Sequence, residues 1–226
     1  MRNSFLEILF PRFCLGCGYV GTYLCQNCES KMMRVKRNSC FYCNKPSLLG
    51  LTHPGCKKKQ GVDGYISLYL YNGLFKQLLQ ESKYKGAHMV LKTLLSFPQK
   101  KAMEDVWRWN SLWNPTVISV PLHPQRQKER GFNQSEIIVS AYFSSQFISD
   151  TLLERINNTA HLAHIHDKNE RKRKIKGAFK YCKSTIPKTV VVVDDVITSG
   201  STIIECAKTL KENGVQTVLA FSLAKG

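Results

Sequence analysis

The sequence predicts an α/β protein with a parallel sheet, preceded by a small metal-dependent domain. Three features predict it. Val190, Val191, Val192 and Val193 form a β-branched run that reads as a buried parallel strand, with Asp194 and Asp195 at its end. A second strand–loop–helix unit spans residues 116–147. Seven of the nine cysteines crowd the first 56 residues, at spacings that suit a soft metal.

The chain has 226 residues, room for one α/β domain of ordinary size and a small appendage. The division expected is 1–62 for the cysteine-rich unit and 63–226 for the sheet domain. Residues 1–10 are too short and too interrupted for a secretory leader, and no apolar run approaches a membrane span. A cytoplasmic location is expected.

The cysteine-rich unit contains Cys14-x-x-Cys17, Cys25-x-x-Cys28 and Cys40-x-x-Cys43, then His53-x-x-Cys56. A reducing compartment argues against disulfides, and each pair places two ligand atoms on one Zn²⁺. Eight ligands serve two ions. Sequential pairing is favoured over a cross-braced one, because the segment between Cys17 and Cys25 suffices for a hairpin. A single zinc is the main alternative, since His53 is the weakest ligand. The metal is expected to be structural, because no ligand set leaves an open position, and a unit this small depends on it to fold. Cys182 and Cys206 lie far away and read as structural.

Lys57, Lys58 and Lys59 mark an exposed exit from this unit. Residues 65–71 alternate as a strand, and Gly73 opens a helix with Leu74, Leu78 and Leu79 on one face. A break at 82–86 precedes a second helix at about 87–97. Trp107, Trp109 and Trp113 fall in a polar stretch that reads as a loop with packing residues. Residues 116–120 form a short strand, and a loop fixed by two prolines and a glycine occupies 121–134. Arg126, Lys128 and Arg130 place three cations there, suited to a pyrophosphate; taken alone the same residues also read as a solvated basic loop. Strands are expected at 152–156, near Ala178 and Phe179, and at 217–223, with a mobile basic excursion at 157–176.

The stretch after the valines carries the most chemistry. Small residues let backbone N–H groups face a phosphate at a helix start, and two carboxylates accept from vicinal hydroxyls. Asp194 and Asp195 followed by Val196, Thr198, Ser199, Gly200, Ser201 and Thr202 therefore suit a sugar phosphate. This stretch resembles the ribose-phosphate motif of the type I phosphoribosyltransferases. The whole chain resembles the ComF family of competence-associated proteins. Beyond the paired cysteines, the resemblance rests on Lys83-Tyr84-Lys85-Gly86, on Arg130-Gly131-Phe132-Asn133-Gln134, and on Arg155, Thr159, Arg171 and Gly177-Ala178-Phe179. It departs from the family where His161 or Leu162 stands for a glutamine, where Lys174 stands for an asparagine, and where His53 opens the fourth pair.

The resemblance implies a doubly wound parallel sheet of the type I phosphoribosyltransferase kind behind an N-terminal zinc ribbon. It implies phosphoribosyl pyrophosphate with Mg²⁺ as ligand, the loop 121–133 that carries Arg126, Lys128 and Arg130 reading pyrophosphate, and residues 194–202 reading ribose 5-phosphate. It also implies the handling of single-stranded DNA during uptake, alongside the uptake machinery. The formal net charge of +17 suits a polyanionic partner, and two zinc sites on thiolates would lower it only slightly. The flanking Phe41, Tyr42, Phe132 and Tyr181 are candidate stacking platforms. Two readings remain open: a binding protein for sugar diphosphate and single strands, or a true transferase in which Asp194 and Asp195 steady an oxocarbenium-like ribose. No segment announces a hood for a base, which weighs against turnover.

Overall fold

The computed structural model describes residues 11–84, 88–97, 100–149, 152–158 and 168–226. The opening ten residues, Lys85 and Gly86, and the stretch from Thr159 through the histidines to 167 lie outside the described residues. After helix α1 (Gln26–Ser30) come strand β1 (Gly64–Leu70) and helices α2 (Gly73–Glu81), α3 (His88–Leu95) and α4 (Lys100–Trp113). Strand β2 (Thr116–Ser119), helices α5 (Pro124–Arg130) and α6 (Gln134–Tyr142) and strand β3 (Leu153–Arg155) follow. The chain closes with α7 (Lys168–Ile175), β4 (Phe179–Tyr181), β5 (Thr189–Ile197), α8 (Ser201–Glu212) and β6 (Thr217–Lys225).

The main sheet is wholly parallel, in the order β1-β6-β5-β2. Both faces are covered, as the unbroken valine run requires. Val191 and Val193 pack on one side with Phe75, Leu91, Trp109 and Ile138 of α2, α3, α4 and α6. Val190 and Val192 pack on the other with Ile203, Cys206 and Leu210 of α8, and with Leu153 and Phe179. Helix α6, the second after β2, thus lies on one face and α8, the helix after β5, on the other. That change of side between adjacent strands opens a crevice at their carboxyl ends, the place where open α/β sheets hold ligands. A small antiparallel ribbon, β3 with β4, stands beside it.

The cysteine-rich unit is not a separate bead. Cys14, Leu24, Cys28 and Met32 belong to the same core as Tyr69, Phe75 and Leu78. Glu29, buried on α1, accepts hydrogen bonds from Tyr69 Oη of β1 and from the Arg34 guanidinium.

Four expectations need correcting. The tryptophan stretch is a helix, α4, because Met103, Val106 and Trp109 repeat at helical spacing and bury one face. Trp109 is fully buried, with its Nε1–H donating to Leu49 O at 3.0 Å. Residues 124–130 are helical rather than loop. Pro124 sits at the first helical position, the His123 ring accepts from Gln125 N–H, and Gly131 (φ 80°) closes the helix left-handed. The punctuation that suggested a loop is therefore the start and stop of α5. Helix α6 ends at Tyr142, where Phe143 turns extended, short of the expected 147. Residues 168–175, inside the expected excursion, form α7. Cys206 is buried in α8 as a structural thiol should be, whereas Cys182 is exposed.

Candidate functional site

Strand β5 runs on past the end of β2. The last β2 pairing is Ser119 with Val193, so Asp194 and Asp195 are the first residues beyond it and border the crevice. Asp194 Oδ1 accepts from Ser135 Oγ of α6 at 3.3 Å and from the Asp195 amide at 2.9 Å. Asp195 Oδ1 accepts from Val196 N–H at 2.8 Å, and its Oδ2 lies 3.1 Å from Lys83 Nζ. The two acids are driven apart electrostatically. Burial and the neighbouring Asp195 charge push Asp194 up to about 7. Burial also acts on Asp195, but the Lys83 ammonium and the hydrogen bonds outweigh it and hold that carboxyl below the usual range.

Beyond β5, Gly200 is buried with φ 72°, a conformation that favours glycine, and α8 starts at Ser201. Ser201 N–H reaches back to Ser199 Oγ at 3.4 Å, and Ser199 and Ser201 hydroxyls lie 3.0 Å apart. Ile204 N–H is bonded to Gly200 O, so the amides before it are those a helix start presents to an anion. Ser199, Ser201 and Thr202 are half-buried and Thr198 is exposed.

Lys83, Arg130 and Arg155 lie within electrostatic reach of the doublet, and Arg126 within reach of Arg130 and Arg155. Arg126 and Arg130, four apart on α5, share a helix face. Arg130 Nη1 donates to Gln134 Oε1 at 3.0 Å and feels both carboxylates; burial, and then Arg126, push its pKa down. Lys128, two residues from each, is exposed on another side of the helix. Lys83 follows α2, and its pKa is raised by Asp195. Arg155 of β3 is buried, lies over the Phe179 ring at 5.6 Å and feels the charges of Arg126, Asp194 and Arg130. Nothing local in the sequence marks Lys83 or Arg155 as part of this site, although both fall in stretches that carry the family resemblance. The β3–β4 ribbon is held by Glu205 of α8, whose Oε1 accepts Gly177 N–H at 2.7 Å. Gln134 is buried, and its Nε2 has no acceptor among the described residues.

The eight expected metal ligands gather into two tetrads, Cys14/Cys17/Cys25/Cys28 and Cys40/Cys43/His53/Cys56, the ligand atoms of each within 4.8 Å of one another. This is the sequential arrangement. Cys17 and Cys25 sulfurs stand 3.7 Å apart, close to the roughly 3.8 Å edge of a tetrahedron built on 2.3 Å Zn–S bonds. Cys25 N–H points at Cys14 Sγ at 3.4 Å. His53 Nε2 lies 3.1 Å from Pro46 O, which leaves Nδ1, 3.3 Å from Cys43 Sγ, as the metal-facing atom. The donor sets fit structural zinc, four soft ligands with no open position.

Of the candidate stacking residues, Phe41, Tyr42, Phe132 and Tyr181 are each half-buried. Tyr42 Oη accepts Val62 N–H and Tyr181 Oη donates to Thr185 O, so both are tied into the fold. The exposed aromatics include Phe13, Tyr19, Tyr84 and Trp107. Lys172, Arg173, Lys174 and Lys176 are exposed at the end of α7, as are Lys57, Lys58 and Lys59. No described helix is long and apolar enough to cross a membrane.

Comparison with known proteins agrees with this arrangement. Residues 5–59 match the family model of the double zinc ribbon domain. The chain is 30% identical to competence protein ComFC of Streptococcus pneumoniae over 207 residues, 89% of this chain and 87% of that one. It is 27% identical to competence protein F of Haemophilus influenzae over 211 residues, 89% of this chain and 90% of the relative. It is 36% identical to the DNA utilization protein YhgH of Escherichia coli K12 over 112 residues, 48% of each.

Proposed function

Because the chain belongs to the ComF family, we propose that it binds phosphoribosyl pyrophosphate at the carboxyl edge of its sheet and handles single-stranded DNA during DNA uptake. The observation that carries the first half is the convergence of Asp194 and Asp195 with the Gly200 turn and the start of α8, with Lys83, Arg130 and Arg155 in electrostatic reach of the acids and Arg126 in reach of the two arginines. The ribose diol would rest on the carboxylates. The 5-phosphate would take the amides and hydroxyls of 198–202. The pyrophosphate would lie toward Arg130 and Arg126, with Mg²⁺ accompanying it to offset its charge. Zinc in the two tetrads would be structural. Titration calorimetry with phosphoribosyl pyrophosphate and Mg²⁺ is expected to give saturable heat, and the double variant Asp194→Asn/Asp195→Asn none. Undiminished heat from that variant overturns the assignment.

The nucleic-acid half is supported by the names of the relatives and by the exposed basic clusters at 172–176 and 57–59. Backbone charge contacts release counterions, so affinity for a single-stranded oligonucleotide should fall about tenfold or more between 50 and 200 mM salt. Affinity flat across that series would remove the basic surface from the mechanism. Turnover is the second reading. The β3–β4 ribbon beside the crevice, pinned by Glu205, is the structural feature that favours it, since a transferase needs a cover for the base. Steady pyrophosphate release with any nucleobase would establish a transferase.

A further inference from the structure

The second metal tetrad and the phosphate loop meet at one side chain. Phe41 lies inside the Cys40-x-x-Cys43 knuckle, and its ring rests on Gly200, with Cζ only 2.7 Å from where a Cβ at that position would stand. The ring is set edge-on to Tyr65 of β1 at 5.6 Å and to Tyr42 at 5.1 Å. It packs against the core on the α8 side of the sheet. The residues beside it are anchored to the same edge. Ser39 Oγ accepts from Lys225 Nζ at the end of β6, and Gly226 N–H donates to Ile197 O just before the loop. The first tetrad packs elsewhere, on the α2 side with Phe75 and Leu78.

Gly200 is therefore under a double constraint. Its backbone has φ 72°, and the space beside it is filled by the ring of Phe41, which the Cys40-x-x-Cys43 knuckle carries. A knuckle of that kind holds its shape through the metal. Losing the metal would free Phe41, and the turn would then sample conformations in which the amides of 199–203 are no longer held together. A ligand must then pay to order them.

We propose that the Cys40/Cys43/His53/Cys56 tetrad acts as a metal-dependent rest for the phosphate loop: the bound ion holds Phe41 against Gly200, and Phe41 is a positioning residue that keeps the loop ready for its ligand. Zinc supply at this tetrad then sets affinity for the phosphorylated sugar. The affinity part rests on the phosphate reading above; the structural coupling does not.

The test uses the full zinc-loaded chain, with metal content measured for each variant. Phe41→Ala, with both metals retained, is expected to speed hydrogen–deuterium exchange of the 199–203 amides and to weaken phosphoribosyl pyrophosphate about tenfold. Phe41→Leu should recover most of both. Cys43→Ser, checked for an intact sheet by circular dichroism, should reproduce the exchange change. Exchange in Phe41→Ala equal to wild type overturns the coupling whatever the ligand does. Faster exchange with undiminished affinity overturns the positioning role. A folded Cys43→Ser protein with wild-type exchange overturns the part given to the metal. Faster exchange in a protein whose wild type binds no phosphoribosyl pyrophosphate overturns the ligand assignment and leaves the coupling standing.

Discussion

Removing metal from the first tetrad, by chelation or by Cys28→Ser, is expected to lower the melting temperature of the entire chain and not only of its N-terminal portion. A structural zinc supplies on the order of 10 kcal/mol to the fold of a small domain. Here the consequence spreads, because Cys14, Leu24, Cys28 and Met32 complete the core that Phe75, Leu78 and Tyr69 line. Unfolding the ribbon exposes that apolar surface and strands Tyr69 Oη without Glu29. The drop in a calorimetric scan should be roughly 20 °C or more, since a kcal/mol moves a domain of this size by about 2–4 °C. An unchanged main transition in metal-free protein would show that the ribbon is only loosely attached, against the shared core.

The second large effect is a pair of opposite stability changes from neighbouring residues. Asp194 titrates at about 7 in the folded chain against 3.8 for the unperturbed group, because burial and Asp195 disfavour its charge. Between those values the folded state binds a proton that the unfolded state does not. Its contribution to stability is therefore present at the acid end of that window and is lost as pH rises through 7. Asp194→Asn removes a burdened charge, and at pH 8 it should melt above wild type by on the order of 5 °C. Near pH 4 the gain should vanish. Asp195 runs the other way. Its folded value is held below the ordinary one, so its stabilisation is present above the unfolded carboxylate range and is lost as pH falls through that depressed value. Asp195→Asn leaves Lys83 without its partner at 3.1 Å and should cost about 1–2 kcal/mol at neutral pH, a figure reduced because Lys83 is partly solvated. Both variants should lose phosphoribosyl pyrophosphate. Identical melting shifts for the two, or a gain from Asp195→Asn, would show that the asymmetry is wrong. A carboxylate kept at a cost to stability is a feature of functional sites, and a core has no use for it.

Much of the architecture can be read from local pattern. Four valines in a row need a sheet covered on both faces, and the structure covers both. The cysteine spacing, with a hairpin-sized gap after Cys17, favours sequential pairing, and the two tetrads of the structure are the sequential ones. Local pattern is ambiguous where one signal has two meanings. Pro124 and Gly131 punctuate a loop and a helix equally well, and only the backbone angles tell them apart. The α4 tryptophans looked irregular because the polar face of that helix is crowded with charge, while the buried face rests on Met103, Val106 and Trp109 alone.

From its own letters the chain determined the buried strand, the acidic doublet with the small-residue turn behind it, and the paired metal ligands with two residues between them, because each is a short-range pattern of near neighbours in the chain. Tertiary structure alone decided that Lys83 pairs with Asp195, that Arg155 comes within electrostatic reach of Asp194, and that Phe41 seats on Gly200. Those contacts join segments far apart in the chain, and their energies depend on burial and distance, which become defined only when the sheet closes and water is excluded.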